Sequence, residues 1–328
     1  MTTITRRAVL KISCASLLAG PAAMSLADAQ STPNWPARPV RVIVNFGPGG
    51  GSDAVARPYM DRVSRLLGQQ FVVENRGGAS GALGAEVVVK AAPDGYTFLA
   101  TPSLTAVIVP HLRKLTFDPL KDLTLVTNCA EGQLLVAAHP SVPANSIQEL
   151  AAYAKANPGK LVWGTPGVGT YGHLIYEAFR RAADVDILHV PYRGTGDMMS
   201  DFLSGIVHVQ ADPITLAHVP SGKAKLLAVL GRERRPDYPN VPMLKEVYPE
   251  LDFIVWFGIF APPGTPPEII ARMNEALSKA SADEEMKKTF FQLALTPVKS
   301  TIEEPRKLLR DDHERYGRLI KQFNIKVD

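Results

Sequence analysis

Residues 41–57 read RVIVNFGPGGGSDAVAR. Val42, Ile43 and Val44 are a β-branched run bounded by Pro39 and a glycine cluster, the pattern of a short buried strand. Gly47, Pro48, Gly49, Gly50 and Gly51 follow at once. Ser52 and Asp53 then offer an N-cap and a first-turn carboxylate for a helix whose apolar positions are Val55, Tyr59, Val63, Leu66 and Leu67. Strand, glycine loop and helix in this order aim backbone N–H groups and the positive end of a helix dipole at an anion. The same layout also makes a plain tight turn with nothing bound. Two nucleotide-binding patterns fail here. The dinucleotide fingerprint G-x-G-x-x-G fits Gly47 and Gly49 but meets Ser52 at its last place, and the P-loop pattern lacks its lysine. What remains suits a small anion such as a carboxylate.

Further along, the chain alternates strand and helix patterns. Phe71, Val72 and Val73 read as a second strand, closed by Asn75-Arg76-Gly77-Gly78-Ala79-Ser80-Gly81. A helix through Leu83, Val87 and Val88 follows, then a strand over 96–100 that ends in Thr101, Pro102 and Ser103. Residues 123–139 hold two apolar runs with no long helix between them, a crossing segment. Ser146 and Glu149 form a capping box. Leu161, Val162 and Trp163 form a strand. Gly164-Thr165-Pro166-Gly167-Val168-Gly169-Thr170 then lead into a helix with His173, Leu174, Tyr176 and Phe179, which repeats the opening design. Strands are expected over 187–192, 207–210, 225–230 and 253–260. Thr265-Pro266-Pro267-Glu268 reads as a capping box with proline at the first helical position, opening a helix with the apolar stripe Ile269, Ile270, Met273, Leu277 and Ala280. A last helix runs through Leu308, Leu309, Tyr316, Leu319 and Ile320. Small polar or glycine residues end the strands, which is where open α/β sheets take ligands.

The amino terminus has the form of an export signal. Thr5-Arg6-Arg7-Ala8-Val9-Leu10-Lys11 carries the twin-arginine pattern, a modestly apolar run follows, and Ala27-Asp28-Ala29 offers a cleavage site. Residues 1–29 are therefore expected to be a twin-arginine signal peptide, and the mature chain to begin at Gln30 in the periplasm. The leader takes three basic residues and one acidic residue from a net charge of +4, leaving +2. With so slight an excess and no Lys/Arg run, a nucleic-acid partner is not expected. Of the two cysteines, Cys14 lies in the leader, so Cys129 has no intramolecular disulfide partner in the mature chain.

Catalytic constellations are thin. Ser80, in Gly78-Ala79-Ser80-Gly81-Ala82, lacks the second glycine of a nucleophile elbow. The seven histidines include no H-E-x-x-H, so no zinc site is expected. His173 reads as a packing or capping residue, and His189 as structural. Arg57, Arg76 and Arg193 fall near the loops. They read as braces, with Arg193 a candidate for a second ligand carboxylate. With no paired acid and base and no metal-ligand spacing, turnover is not expected, nor a metal or a cofactor; a hydrolase or isomerase with an α/β cleft is the alternative from another class.

The motifs VNFGPGGGSDAVAR, LGQQFVVENRGGASGALGAE, AAPDGYTFLA, ELAAYAKANPGKLVWGTPGVGTYGHL, HVPYRGTGDMMSDFLSG, KLLAVLGRERRPDYPNVPMLKE and VWFGIFAPPGTP occur in order between residues 36 and 266. With them the chain resembles the Bug family of periplasmic solute-binding proteins, the receptors associated with tripartite tricarboxylate transporters. The resemblance implies an α/β, two-lobed type II periplasmic binding protein fold. Each lobe would be a mostly parallel sheet flanked by helices, with the ligand cleft between lobes. The first lobe is expected over 36–136 and 251–328, the second over 137–250. By motif match the ligand-binding positions are Gly47, Gly49, Gly50 and Asp53 in the first loop and Thr165, Gly169 and Thr170 in the facing loop. Ser80, Ser103, Arg193 and Asp212 are further candidates around the rim. The implied partners are a small carboxylate ligand and the permease subunits of a tripartite tricarboxylate transporter, or a sensor kinase, with the receptor a monomer. The chain departs from the family where Asn45 replaces a common proline, Gly47 a common alanine and Thr165 a common serine. Gly77 replaces a frequent proline and Ser80 a frequent glycine. Pro58 falls inside the expected first helix, where it should bend it or delay its hydrogen bonding.

Overall fold

A computed structural model describes residues 35–326. The expected leader and its cleavage site lie outside the described residues. Two sheets organise the rest. The strands are β1 Val40–Val44, β2 Phe71–Asn75, β3 Thr97–Pro102, β4 Thr124–Gly132, β5 Leu134–Ala138, β6 Val162–Thr165, β7 Leu188–Pro191, β8 Val209–Ala211, β9 Lys225–Leu230, β10 Val255–Ala261 and β11 Leu295–Pro297. The first sheet has the order β11-β4-β10-β3-β1-β2 and the second β7-β6-β8-β5-β9.

The helices are α1 Gly51–Leu67, α2 Ala82–Val89, α3 Leu104–Val107, α4 Val109–Leu112, α5 Ile147–Ala156, α6 Tyr171–Ala182, α7 Thr195–Ser204, α8 Leu244–Val247, α9 Pro267–Ala280, α10 Glu284–Gln292 and α11 Glu303–Gln322. Sequence reading did not resolve α3, α4, α7, α8, α10 or β11. Met198, Met199 and Phe202 are the buried stripe of α7 and were its legible signal.

The sheets are mixed rather than mostly parallel. β1 pairs with β2 and β3 in parallel, but β10 is inserted antiparallel between β3 and β4. In the second sheet β6 runs parallel to β7 and β8, while β5 is antiparallel to β8 and β9. Strands β4, β5, β9 and β10, which flank the crossings between sheets, make most of the antiparallel pairs, and β11 joins the edge antiparallel to β4. β4 and β5, separated only by Gln133, carry the chain from one sheet to the other, and residues 231–254 bring it back to β10. Leu134, Leu135 and Val136, expected in the first lobe, pair with β9 in the second sheet. The crossings are tied together where Arg232 donates to both oxygens of Glu131, at 2.5 and 2.7 Å.

Local rules explain most element ends. α1 buries Val55, Ala56, Tyr59, Met60 and Val63 and ends at Gly68, which is left-handed (φ 69°). It continues through Pro58 to Leu67. Proline lacks an N–H, so the Ala54 carbonyl has no intrahelical donor, a local loss and not a stop. Ser146 caps α5 by accepting from Glu149 N at 3.1 Å, but the Glu149 carboxylate turns to Asn145 N rather than to the cap's own N–H. The expected box at Thr265 does not form. Its hydroxyl donates to the Pro262 carbonyl, and α9 begins at Pro267 without a side-chain cap.

Candidate functional site

In the first sheet the loops after β1, β2 and β3 leave the same edge, because these strands are adjacent and parallel. The first glycine loop runs from Asn45 into α1. Gly50, not Ser52, is the N-cap, with extended backbone (φ −78°, ψ 175°), and no side chain caps the helix. The N–H groups of a first helical turn have no intrahelical acceptor. Gly47 and Gly49 are exposed and Gly50 is half-buried.

Asp53 is buried and faces back into the loop. Its Oδ2 accepts from Gly49 N at 3.1 Å and from Arg57 Nε at 2.8 Å, and its Oδ1 accepts from Asn75 Nδ2 at 3.0 Å. Burial pushes its carboxyl up. The hydrogen bonds from Arg57, Asn75 and Gly49, with the Arg57 charge, outweigh that and hold it below its ordinary value. Asp53 thus shapes the loop, and its oxygens are engaged there. Asn75, which also donates to the Phe46 carbonyl at 3.0 Å, is a loop-forming residue that sequence reading missed. The loop after β2 lies against this one, since a Cβ on Gly77 would sit 3.6 Å from Gly47 N. Ser80 belongs to that second loop. It is half-buried and left-handed (φ 54°) in the short turn Ala79–Gly81.

The second glycine loop follows β6. Thr165 is fully buried, its Oγ1 2.7 Å from His189 Nε2. Gly169 is also buried, with φ 80°, and its N–H donates to His173 Nδ1 at 3.2 Å. Thr170 caps α6 by accepting from His173 N at 3.4 Å, and gives its one hydroxyl proton to the Gly167 carbonyl at 2.7 Å. The Thr170 hydroxyl proton is therefore taken up inside the loop, and the Thr165 hydroxyl is engaged by His189 on β7.

Three rings support it. His173 stacks on His189 at 4.6 Å between centroids, and His189 stacks on Tyr176 at 4.8 Å. His189 reaches this place because β6 and β7 are parallel with Trp163 opposite His189. Burial and the neighbouring His173 push His189 down to about 4. Burial also lowers His173, opposed by the Glu177 charge. Both rings are neutral at pH 7.

The remaining candidates divide. Ser103 is fully buried, not on a rim. Its Oγ is 2.7 Å from the Tyr171 hydroxyl and accepts from Trp256 N at 3.3 Å. This contact joins the end of β3 to the first residue of α6, so the loop-bearing edges of the two sheets adjoin. Arg193 is exposed and has no ion pair among the described residues. It stands next to Tyr192, whose N–H donates to the Thr165 carbonyl at 2.9 Å, so it borders the second loop. Asp212 follows β8, and its carboxylate accepts from Thr195 Oγ1 at 3.2 Å and Ile214 N at 3.0 Å. Burial outweighs those hydrogen bonds and raises it to about 6.

A cavity of about 480 Å³ lies elsewhere, between Ala82, Leu83 and Glu86 on α2 and residues 112–117. Among the described residues no group of three or more His, Cys, Asp or Glu is placed to hold a metal, and no helix is long and apolar enough to cross a membrane.

A two-lobed α/β chain whose glycine loops lie at adjoining sheet edges has the plan of a solute-binding receptor. Residues 55–325 match the family described as the tripartite tricarboxylate transporter family receptor, and the chain belongs to that family. It is 32% identical over 311 residues to Protein BugT of Bordetella pertussis, covering 93% of this chain and 95% of that one. Among solved structures it is similar to an R. palustris protein determined with adipate (TM-score 0.83, 30% identity, 89% of this chain and 99% of that one). It is also similar to MatC from Rhodopseudomonas palustris with bound malate (TM-score 0.79, 30% identity, 87% and 99%).

Proposed function

We propose that this receptor works in the periplasm, captures a small carboxylate-bearing solute and hands it to the permease subunits of a tripartite tricarboxylate transporter, without turning it over. The observation that carries the reading is the first loop. Its helix N-terminus lacks a side-chain cap while its one carboxylate, Asp53, is turned back on Gly49 and Arg57. A ligand carboxylate placed there by Gly47, Gly49 and Gly50 supplies the missing acceptor, and the helix dipole favours its charge. The second loop contributes backbone and shape around Thr165, Gly169 and Thr170, and Arg193 is the group available to a second carboxylate. Two similar receptors carry dicarboxylates, adipate and malate, in keeping with two anion-binding ends.

Hydrogen bonds to a charged acceptor contribute roughly 1.5–3 kcal/mol each. A few of them, with buried surface, reach the roughly −8 kcal/mol of micromolar binding against association costs of roughly 4–15 kcal/mol. If donors come from both lobes, the ligand favours the closed arrangement. The lobe division proposed with this reading assigns β1–β4, β10 and β11 to one lobe and β5–β9 to the other. Export is assigned to the twin-arginine leader, and Lys in place of Arg6 and Arg7 should abolish periplasmic yield.

The test is calorimetry of the purified chain against acetate, malate, adipate and citrate, with NMR of each mixture over hours. The expected result is micromolar binding of a dicarboxylate or tricarboxylate with no conversion. Repeated conversion, or no heat with any carboxylate, contradicts the reading.

A further inference from the structure

Asn45 sits between β1 and the first glycine loop and is completely buried, 0% exposed. Its Nδ2 donates to the Gly81 carbonyl at 2.9 Å and to Thr105 Oγ1 at 3.0 Å. Gly81 closes the loop after β2, and Thr105 lies on α3, just after β3. One side chain on the first loop therefore reaches the loops after both neighbouring strands. Thr105 Oγ1 is in turn 2.9 Å from Thr101 Oγ1, hydroxyl to hydroxyl, at the end of β3.

The surroundings are fitted to this amide. A Cβ on Gly81 would lie 2.4 Å from Asn45 Nδ2, and one on Gly84 would lie 2.6 Å from Asn45 Cβ. Gly81 also has φ 91°, which favours glycine on its own account. The amide orientation is fixed by chemistry. Turning it over would set its oxygen against the Gly81 carbonyl oxygen, two acceptors with no proton between them. As placed, Oδ1 is buried with no partner among the described residues. A buried acceptor left unpaired is a cost to folding that an apolar side chain of similar size would avoid. The two donated hydrogen bonds are what that cost secures.

We propose that Asn45 is a positioning residue for the anion site: it holds the loops after β2 and β3 in register with the first glycine loop, and so sets the position of the backbone donors without touching ligand. The inference deepens the carboxylate-receptor reading and rests on it for the binding effect, while the tie between the loops stands on the geometry alone.

Hydrogen–deuterium exchange of the ligand-free full chain separates the two. Asn45→Leu, branched like asparagine, and the smaller Asn45→Ala both remove the donors. Both should speed exchange at least tenfold in residues 76–89 and 101–109, with the second sheet unchanged. Thr105→Val leaves the Gly81 bond in place and should loosen 101–109 alone, a graded pattern that a general loss of stability would not produce. Calorimetry with malate and adipate should show at least tenfold weaker binding in folded Asn45→Leu. Unchanged exchange in both segments, or full affinity in a protein whose loops have loosened, would overturn the proposal. If Asn45→Leu fails to fold, Asn45→Ala and Thr105→Val give the same decision. Wild-type protein that binds neither these acids, acetate nor citrate would overturn the carboxylate reading, and the exchange pattern would still decide the tie.

Discussion

In the first glycine loop the group that holds the backbone is an ionised carboxylate. Asp53 gathers Gly49 N–H, Arg57 and Asn75 around itself, and the glycines it supports stay at the surface. In the second loop the holding groups are neutral rings. His173 accepts from Gly169 N, His189 meets Thr165, and Thr170 closes the turn on Gly167. The difference teaches where a ligand can still be served. A loop braced from behind by a carboxylate keeps its helix N-terminus free of side chains. A loop that caps itself with Thr170 has already used its hydroxyl. On the proposed reading, the same outline, strand then glycines then helix, gives one open anion site and one shaped wall.

Acid should separate the loops most. His189 has an ordinary value of 6.5 and is held near 4 in the fold. Between those values the unfolded chain binds more protons, so the contribution of His189 to stability is complete above about pH 6.5 and is lost as pH falls toward 4. The shift corresponds to about 3 kcal/mol at most. Asp53 is held below its ordinary value of 3.8, so its contribution is lost only as pH falls below that value. Asp212, raised to about 6, works the other way: protonation between about 6 and 4 favours the fold, which mutes a global melt. Local exchange is therefore the readout. From pH 7 to pH 4.5, residues 164–173 should loosen while residues 45–53 hold, and His189→Leu should remove most of that contrast. Equal loosening of both loops would break the comparison.

Removing the first brace should come next in size. Asp53→Ala takes away hydrogen bonds to a charged acceptor worth roughly 1.5–3 kcal/mol each. Arg57 is half exposed and returns to water, so the net loss should be about 2–3 kcal/mol by denaturant melts. An unchanged midpoint would show that the loop holds itself. Thr170→Val removes an N-cap and should destabilise by about 1 kcal/mol, with ligand affinity changed less than twofold. A large affinity loss with an unchanged melt would restore the hydroxyl as a ligand donor.

These contrasts mark how far the sequence could be read. Both strand–glycine–helix units were legible, because β-branched runs, glycines and helical stripes are local signals. β9 falls where it was expected, over Lys225–Leu230. The Asp53–Arg57 pair was latent in its spacing of four along a helix. Asn75 and His189 were not legible as loop braces, since each arrives through strand pairing with no local mark. A threonine before a helix is first a cap, and the single hydroxyl proton of Thr170 goes to the Gly167 carbonyl. The mixed sheets were missed because antiparallel β10 comes from far along the chain, and a fully buried apolar strand carries no sign of its direction.

The central claim is that a ligand carboxylate occupies the uncapped N-terminus of α1. Gly50→Asp tests it most directly. The Gly50 backbone is extended and a Cβ there meets only Gly47 O at 3.6 Å, so the variant should fold. Aspartate is a good N-cap, and its carboxylate would fill the place of the ligand's. Calorimetry and thermal melts on the same sample are predicted to show no binding of a carboxylate that wild-type protein holds, with the melting temperature unchanged or raised. Full affinity in the folded variant would contradict the account and place the ligand elsewhere.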